Sequence, residues 1–522
     1  MNSSTVSEQS SLLIKALQNP RAYPDRVGLV ALIETHISWI ILTGQYAYKI
    51  KKPVDFGFLD FSTLEKRKFY CEEEIRLNRR LAESLYLEVV PIAGPVARPR
   101  VNGTGPVIEY AVKMRQFESG QLLSERAEQG LLGTSEVDQI AGIMSRFHQS
   151  AEIADPASPY GKAEDIRHWA EENFEHIAPL VQGDEDRRLR EIEKWSRNEW
   201  GQKAETMRER KRQGFIRECH GDLHLGNMTL INGRVTPFDC IEFNPKLRWI
   251  DVISELAFIV MDLAHRELKP YGYRLLNGYL QQTGDYKGLA LLRYYLVYRA
   301  MVRAKVALLR LNQTADEAEQ HKIRSDYAAY VSLAGCYTQP RQPRMMITHG
   351  VSGSGKSFFA RPLAESLGAI QLRSDIERKR LYGFEANEAT GSGAGTGIYT
   401  FEAGRKTFQH LAELAETVLR AGFSVIVDAT FIRAELRDQF HQIAQACDAP
   451  FLILDFHASE QELHRRIAWR QQQGNDPSEA TVEVLRQQML SDEPLTAEER
   501  ERAVTVDTEN ENALAVLLKA LS

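Results

Sequence analysis

The sequence predicts a chain of mixed α/β and α+β class made of two successive units. In the first, a block of strands precedes a long helical region; in the second, strand and helix alternate over a parallel sheet. Three observations predict this. β-Branched and aromatic runs crowd between residues 38 and 117, and helical spacing takes over after Leu122. The segment TQPRQPR, residues 338–344, has two prolines and no large apolar side chain, the composition of a linker. Directly beyond it an apolar run enters GVSGSGKS and then an amphipathic helix. The expected boundaries are therefore 1–337, 338–344 and 345–522.

Taken in order, residues 1–20 read as a polar start and one short amphipathic helix. SWIILTGQYAYKIKKP reads as two strands joined at a glycine turn. STLEKRKFYCEEEIRLNRRLAESL begins with a Ser/Thr cap and carries Leu64, Phe69, Ile75, Leu77 and Leu81 at helical spacings. LYLEVVPI and PVIEYAVKMRQF form a further hairpin across a Gly/Pro-containing connection. The charged stretch from Asp184 to Arg212 reads as solvated helix, and GSGAGTG at 391–397 as a loop.

Composition narrows the function classes. With 522 residues, 43% hydrophobic and 26% charged, the chain has apolar material for more than one core, which excludes disordered and fibrous classes. Lys+Arg number 65 against 71 Asp+Glu, a net charge of −6, divided as −7 in 344–522 and +1 in 1–343. Neither part has the bulk basic character of a nucleic-acid binder. Five scattered cysteines without CxxC pairing suggest neither a disulfide framework nor a structural zinc site. The N-terminus lacks a basic start followed by an apolar core, and no apolar run reaches the roughly 18 residues that span a bilayer. A cytoplasmic protein without a membrane partner is expected.

Gly350, Gly353, Ser354, Gly355, Lys356 and Ser357 lie in a GxxxxGK[ST] phosphate loop set between strand and helix. Its glycines let backbone N–H groups wrap phosphates at a helix N-terminus, Lys356 reaches the β/γ-phosphates, and Ser357 is a Mg²⁺ ligand. FSVIVDATF reads as a buried strand ending in Asp428, at the carboxyl edge of a parallel sheet and suited to the metal side of the site. In SDIER, Asp375 stands three residues before Arg378, so both share a helical face. There a carboxylate can accept a hydroxyl proton and an arginine can hold an anionic substrate. Arg465, Arg466 and Arg470 are spaced for one helix that closes over phosphates, or for an exposed basic helix. Through these motifs residues 344–522 resemble the small P-loop kinases related to polynucleotide kinase, gluconate kinase and zeta-type toxins. The resemblance implies ATP and Mg²⁺ at Lys356 and Ser357, Asp375 as base, and Arg378 and Asp428 organising the acceptor site.

A second constellation lies upstream. HGDLHLGN supplies His220, Asp222 and Asn227, and Asp239 follows in TPFDCIEF. Phosphoryl transfer to a hydroxyl needs an Asp near the acceptor oxygen and an amide oxygen plus a carboxylate on the metal; Asp222, Asn227 and Asp239 form that set in order. A zinc site at His220 and His224 with Cys219 and Cys240 is the competing reading, though the glutamate of HExxH is missing. The region, about residues 30–335, resembles the aminoglycoside phosphotransferase branch of the protein-kinase-like fold, and so implies a bilobal domain. The resemblance assigns Lys49 of YAYK to the α/β-phosphates, with Lys51 and Lys52 as alternates. It assigns Glu74, or else Glu73, as the partner of that lysine, and Asp251 as a brace for the catalytic loop. The Gly-rich nucleotide loop is reduced to Gly44, and Cys-Ile-Glu follows the metal Asp.

The expected function is a bifunctional ATP-dependent phosphotransferase using Mg²⁺. Its N-terminal domain phosphorylates a small-molecule hydroxyl, and its P-loop domain acts as a second small-molecule kinase. One alternative makes only one domain catalytic and the other a nucleotide-binding regulator. Another gives the C-terminal half a nucleic-acid 5′-hydroxyl acceptor, on the basic cluster Arg373, Arg378, Lys379 and Arg380. The acceptors, the choice of ATP or GTP, and the oligomeric state are not written in these motifs.

Overall fold

Strand Ser38–Leu42 meets strand Tyr46–Lys51 in an antiparallel hairpin, Leu42 opposite Ala47, and Gly44 takes φ 90° in the turn. An L side chain rarely adopts that angle, so the glycine is what lets the strands close so tightly. The computed structural model describes residues 3–57, 59–311, 316–386, 388, 390–391, 396–473, 478 and 480–521. Most of GSGAGTG and the end of the arginine-rich segment, 474–477 and 479, lie outside the described residues. Two compact units emerge: Met1–Glu136 with Ser150–Ala163 and Arg208–Ile259, and Val137–Gln149 with Glu164–Met207 and Val260–Ser522.

In the first unit the hairpin belongs to a six-stranded antiparallel sheet. Its order is Ala31–Glu34, Ser38–Leu42, Tyr46–Lys51, Val107–Arg115, Tyr86–Ala93 and Arg100–Val101. Strand alternation sorts its side chains. Tyr48 and Ile50 pack with Leu13, Ile14 and Leu17 of helix Ser3–Leu17. Ala47 points to the other face, among Cys71, Ala82 and Met114. Lys49 and Lys51 share the parity of Ala47 and so face helix Leu64–Ala82. Thr63 caps that helix by accepting the Lys66 N–H, and Cys71, Glu74, Leu77 and Asn78 are buried on it. Phe69, placed in the apolar set by spacing alone, is 57% exposed. Strands Met228–Ile231 and Arg234–Pro237 form the short hairpin between Asn227 and Asp239.

The second unit holds a five-stranded, fully parallel sheet, ordered Ala369–Arg373, Ser424–Asp428, Met345–His349, Phe451–His457 and Ala503–Asp507. The strand feeding the phosphate loop is central, and Asp428 ends its neighbour, as a P-loop fold requires. Helix Lys269–Thr283 belongs to the same unit and covers the sheet edge. Asn277 donates to the Ala369 carbonyl at 3.0 Å and accepts the Gln371 N–H at 2.8 Å, standing in for a missing strand. Nearby, the Tyr286 hydroxyl donates to Glu377 Oε1 at 2.9 Å and Arg380 donates to the Gln281 carbonyl at 2.5 Å. Among the described residues, no helix is long and apolar enough to cross a membrane.

Replacing Asn277 by Leu strips partners from two edge-strand backbone groups. It is expected to cost about 1–3 kcal/mol in denaturant unfolding of the full chain and to speed hydrogen exchange in Ala369–Arg373. Unchanged exchange there would show that the edge does not depend on this amide.

Candidate active sites

In the first unit a fully buried carboxylate organises the site. Glu74 accepts from Lys49 Nζ through Oε1 at 2.8 Å and from Lys51 Nζ through Oε2 at 2.7 Å. Lys49 also pairs with Asp239, and Lys51 with Glu242. Burial opposes the Lys49 charge, but Asp239 and Glu74 hold its pKa well above the ordinary lysine value. Burial likewise acts to raise Glu74, yet the two lysines bring its pKa down to about 2. Of the alternates, Lys52 turns away to Glu34, and Glu73 pairs with Arg76 and Arg248. The structure thus joins Lys49, Glu74 and Asp239.

Asp239 stands at φ 67°, a region where a non-glycine residue is held only by its surroundings. Its N–H donates to the Tyr86 hydroxyl at 3.1 Å, and the next N–H, that of Cys240, donates to Asn78 Oδ1 at 2.8 Å. The side chain is 41% exposed, leaving an oxygen-donor group at the rim of a buried network. Asn227 Nδ2 donates to the Asp222 carbonyl at 2.9 Å and to Asp222 Oδ2 at 3.2 Å, so the amide orients the carboxylate. The two loops are laced together: Phe238 N–H donates to the Asn227 carbonyl at 2.9 Å, and His220 Nε2 meets the Phe238 carbonyl at 2.8 Å. Burial works against a proton on His220, but Cys240, Glu255 and the Phe238 carbonyl hold its pKa at about 9.

Contacts around the HGDLHLGN loop add a residue that the motifs did not name and revise another. Glu255 Oε1 accepts the Gly221 N–H at 2.7 Å, so it holds the HGDLHLGN loop directly. Asp251 instead forms a two-pronged bond with Arg210 at 2.7 and 2.8 Å. Gly221 is at φ 93°, and a Cβ there would stand 2.9 Å from the Leu247 carbonyl. Among the described residues, Cys219, His220, His224 and Cys240 form no metal-sized group of donors with one another.

In the second unit the phosphate loop links strand Met345–His349 to helix Lys356–Leu367. Gly350, Gly353 and Gly355 take φ 132°, 86° and 91°, and a Cβ at Gly350 would meet the Phe456 carbonyl at 2.6 Å. Lys356 Nζ donates to the carbonyls of Gly350 and Val351 at 2.8 and 2.7 Å, and to Ser354 Oγ at 3.4 Å. Burial pushes its pKa down to about 8, against the opposing pull of Asp428 and Asp375. Burial raises the pKa of Asp428, whose carboxylate bonds the Ser357 side chain. Gln371 Nε2 donates to Asp428 Oδ2 at 2.9 Å, and Arg373 Nε lies 3.9 Å from that oxygen. A hydroxyl and a carboxylate side by side are the donors a Mg²⁺–nucleotide takes in such a loop.

One cavity of about 970 Å³ gathers Gly353, Gly355, Lys356, Ser357, Asp375, Arg378, Asp428, Arg466 and Arg470 in its walls. Asp375 and Arg378 reach it from the first turns of helix Ser374–Leu381. Arg465, Arg466 and Arg470 all lie on helix Glu460–Gln473, but they differ. Arg466 donates to the Gly353 carbonyl at 3.3 Å and to Thr508, whereas Arg465 is 71% exposed and pairs with Glu462. Of the basic cluster at 373–380, Lys379 is buried and Arg380 is engaged by Glu377 and Gln281; Arg373 and Arg378 line the cavity. Ser352 N–H donates to Gln488 Oε1 at 2.7 Å, a tie from helix Val482–Ser491 that no motif announces.

The uncharacterized protein Rv2004c of Mycobacterium tuberculosis (strain ATCC 25618 / H37Rv) is 31% identical over 431 residues, covering 82% of this chain and 83% of that protein. The uncharacterized protein Mb2027c of Mycobacterium bovis matches to the same extent. The chain belongs to their family. An AAA-domain family model matches residues 345–495 of this member. Among solved structures, choline kinase from Cryptosporidium parvum Iowa II is 12% identical, covers 62% of this chain and 95% of its own, and has a TM-score of 0.37. A gluconokinase from Sinorhizobium meliloti 1021 is 21% identical, covers 35% and 97%, and has a TM-score of 0.25.

Two predictions follow from the contrast between the buried lysines. Lys51→Met leaves Glu242 buried without its cation and is expected to destabilise by about 3–5 kcal/mol in denaturant unfolding, whereas Lys51→Met/Glu242→Leu recovers most of the loss. No recovery would mean that the two residues are not energetically coupled. Lys356, with its pKa lowered to about 8, is charged below that pH and loses its proton above it. Nucleotide phosphates bind the charged form. MgATP affinity at the P-loop site is therefore expected to fall about tenfold between pH 7 and pH 9, followed by the fluorescence of Trp469 in the cavity wall. A flat profile would contradict the lowered pKa.

Proposed function

We propose that the chain is a bifunctional ATP-dependent phosphotransferase. One site is built on Lys49, Glu74, Asp222, Asn227 and Asp239, and the other on the phosphate loop with Asp375, Arg378 and Asp428. The supporting observation is that each phosphate-type lysine is buried beside its own carboxylate of metal-ligand type: Lys49 on Asp239, Lys356 within the field of Asp428. The domain division at 337 and 345 and a cytoplasmic location belong to the same reading.

In the first site Asp222 accepts the proton of a small-molecule hydroxyl as that oxygen attacks the γ-phosphorus, while Asn227 steadies the carboxylate. Lys49, released from Asp239, binds the α/β-phosphates, and Glu74 keeps its ammonium in place. Asn227 and Asp239 would hold Mg²⁺, which supplies charge neutralisation between the phosphates. In the second site Ser357 and Asp428 would hold the corresponding ion. Lys356 leaves its two loop carbonyls for the β/γ-phosphates, Arg466 and Arg470 bind phosphate oxygens, and Asp375 takes the acceptor proton.

A metabolite-library phosphorylation screen read by mass spectrometry tests this on the full chain. Asp222→Asn is expected to remove one product and Lys356→Ala another, each by at least about 100-fold, with each variant sparing the other's chemistry. If one substitution abolished every product and the other none, a single catalytic domain with a regulatory partner would replace the bifunctional reading.

A further inference from the structure

The carboxylate on the metal side of the P-loop site is held by a residue that no motif names. Gln371 stands on strand Ala369–Arg373 opposite Ile426, which lies two positions before Asp428 on the neighbouring strand. Side chains two positions apart share a face of the sheet, so the long amide reaches the carboxylate on the diagonal. Gln371 Nε2 donates to Asp428 Oδ2 at 2.9 Å, and both residues are buried. Arg373, directly opposite Asp428, keeps its Nε 3.9 Å from the same oxygen. The difference is chemical. A contact ion pair would neutralise the carboxylate, whereas a neutral amide fixes its direction and leaves the negative charge for a cation.

Gln371 is itself aimed by helix Lys269–Thr283. Asn277 and Gln281 lie four apart on that helix and so face the strand together. Asn277 Oδ1 accepts the Gln371 N–H at 2.8 Å, and Gln281 Nε2 donates to Gln371 Oε1 at 3.5 Å, long for a hydrogen bond. With its oxygen turned to Gln281, the amide presents its N–H to Asp428. The flipped amide would set oxygen against carboxylate and lose both contacts. Gln281 is anchored in turn, its carbonyl accepting from Arg380 at 2.5 Å. A line of polar contacts therefore runs from Gln281 through Gln371 to Asp428, and on to the Ser357 side chain of the phosphate loop. Its first member lies upstream of the segment 338–344.

We propose that Gln371 is the positioning residue of the metal-side carboxylate: aligned by Asn277 and Gln281, its amide holds Asp428 ready for the divalent ion that accompanies the nucleotide, so that metal affinity at the P-loop site depends on a helix outside residues 345–522. This rests on the P-loop unit binding a magnesium nucleotide beside Ser357 and Asp428. Ligating carboxylates need hydrogen-bonded partners of their own, and loss of one costs about 10- to 100-fold in metal affinity. A chain cut within 338–344 would part Asp428 from the residues that aim it.

The test titrates AMPPNP into the full-length protein, once with saturating Mg²⁺ and once with EDTA, and follows Trp469 fluorescence in the cavity wall, a Trp469→Phe control identifying the signal. Gln371→Met keeps the reach of the side chain and removes the donor. It is expected to weaken Mg–AMPPNP about tenfold or more while leaving AMPPNP in EDTA within about twofold of the wild type. Gln281→Met, which frees the amide to turn, is expected to give a smaller loss of the same kind. Equal losses with and without Mg²⁺ in Gln371→Met would overturn the proposal, because a purely structural role weakens both forms alike, and so would no loss at all. If Gln371→Met does not fold, Gln281→Met decides on the same terms. Failure of the wild type to bind Mg–AMPPNP in this cavity would instead overturn the reading of the P-loop site beneath it.

Discussion

Glu74 is a wholly buried carboxylate with a lysine on each oxygen, and the first unit is arranged around that arrangement of charge. A lone carboxylate there would be protonated or would unfold its surroundings; with Lys49 and Lys51 in contact it stays ionised. Each lysine in turn reaches a second carboxylate on the segment after the short hairpin, Asp239 and Glu242. The sheet, the helix Leu64–Ala82 and the metal-side loop are thus joined through one alternating chain of charges, the parity of a single strand having aimed both lysines at it.

The second unit handles its phosphate-type lysine differently. Lys356 is satisfied by loop carbonyls rather than by a buried acid, so its charge is held weakly, whereas that of Lys49 is held strongly. Asp428 and Asp375 act on Lys356 through space without an ion-pair contact, so an anion entering the loop would supply a counter-charge in direct contact. In the first unit Asp239 already pairs with Lys49, so an incoming phosphate would compete with that carboxylate for the ammonium. The two sites reach the same electrostatic end from opposite starting points.

Much of this was legible in local sequence. GVSGSGKS, the strand ending at Asp428 and the pair Asp375/Arg378 depend on neighbours within a few residues, and spacing reports such neighbours well. The order Asp222, Asn227, Asp239 was likewise legible because a short hairpin connects them. Spacing did not choose between Lys49 and Lys51, since both lie on the same strand face, and the answer is that Glu74 binds both. Lys51–Glu242, Gly221–Glu255 and Asn277 on the Ala369–Arg373 edge pair residues 34 to 191 positions apart, and no periodicity encodes them. Burial of Lys379 and the Arg380–Glu377 pair were also hidden, because a run of basic residues does not state which of its members face a cavity.

The claim that two complete phosphate-handling sites share this chain is tested most directly by counting nucleotides. Native mass spectrometry of the full-length protein with Mg–AMPPNP is predicted to show two nucleotides per chain at saturation, and one in the Lys356→Ala variant. A single nucleotide per chain in the wild type, or loss of both in that variant, would contradict two self-sufficient sites.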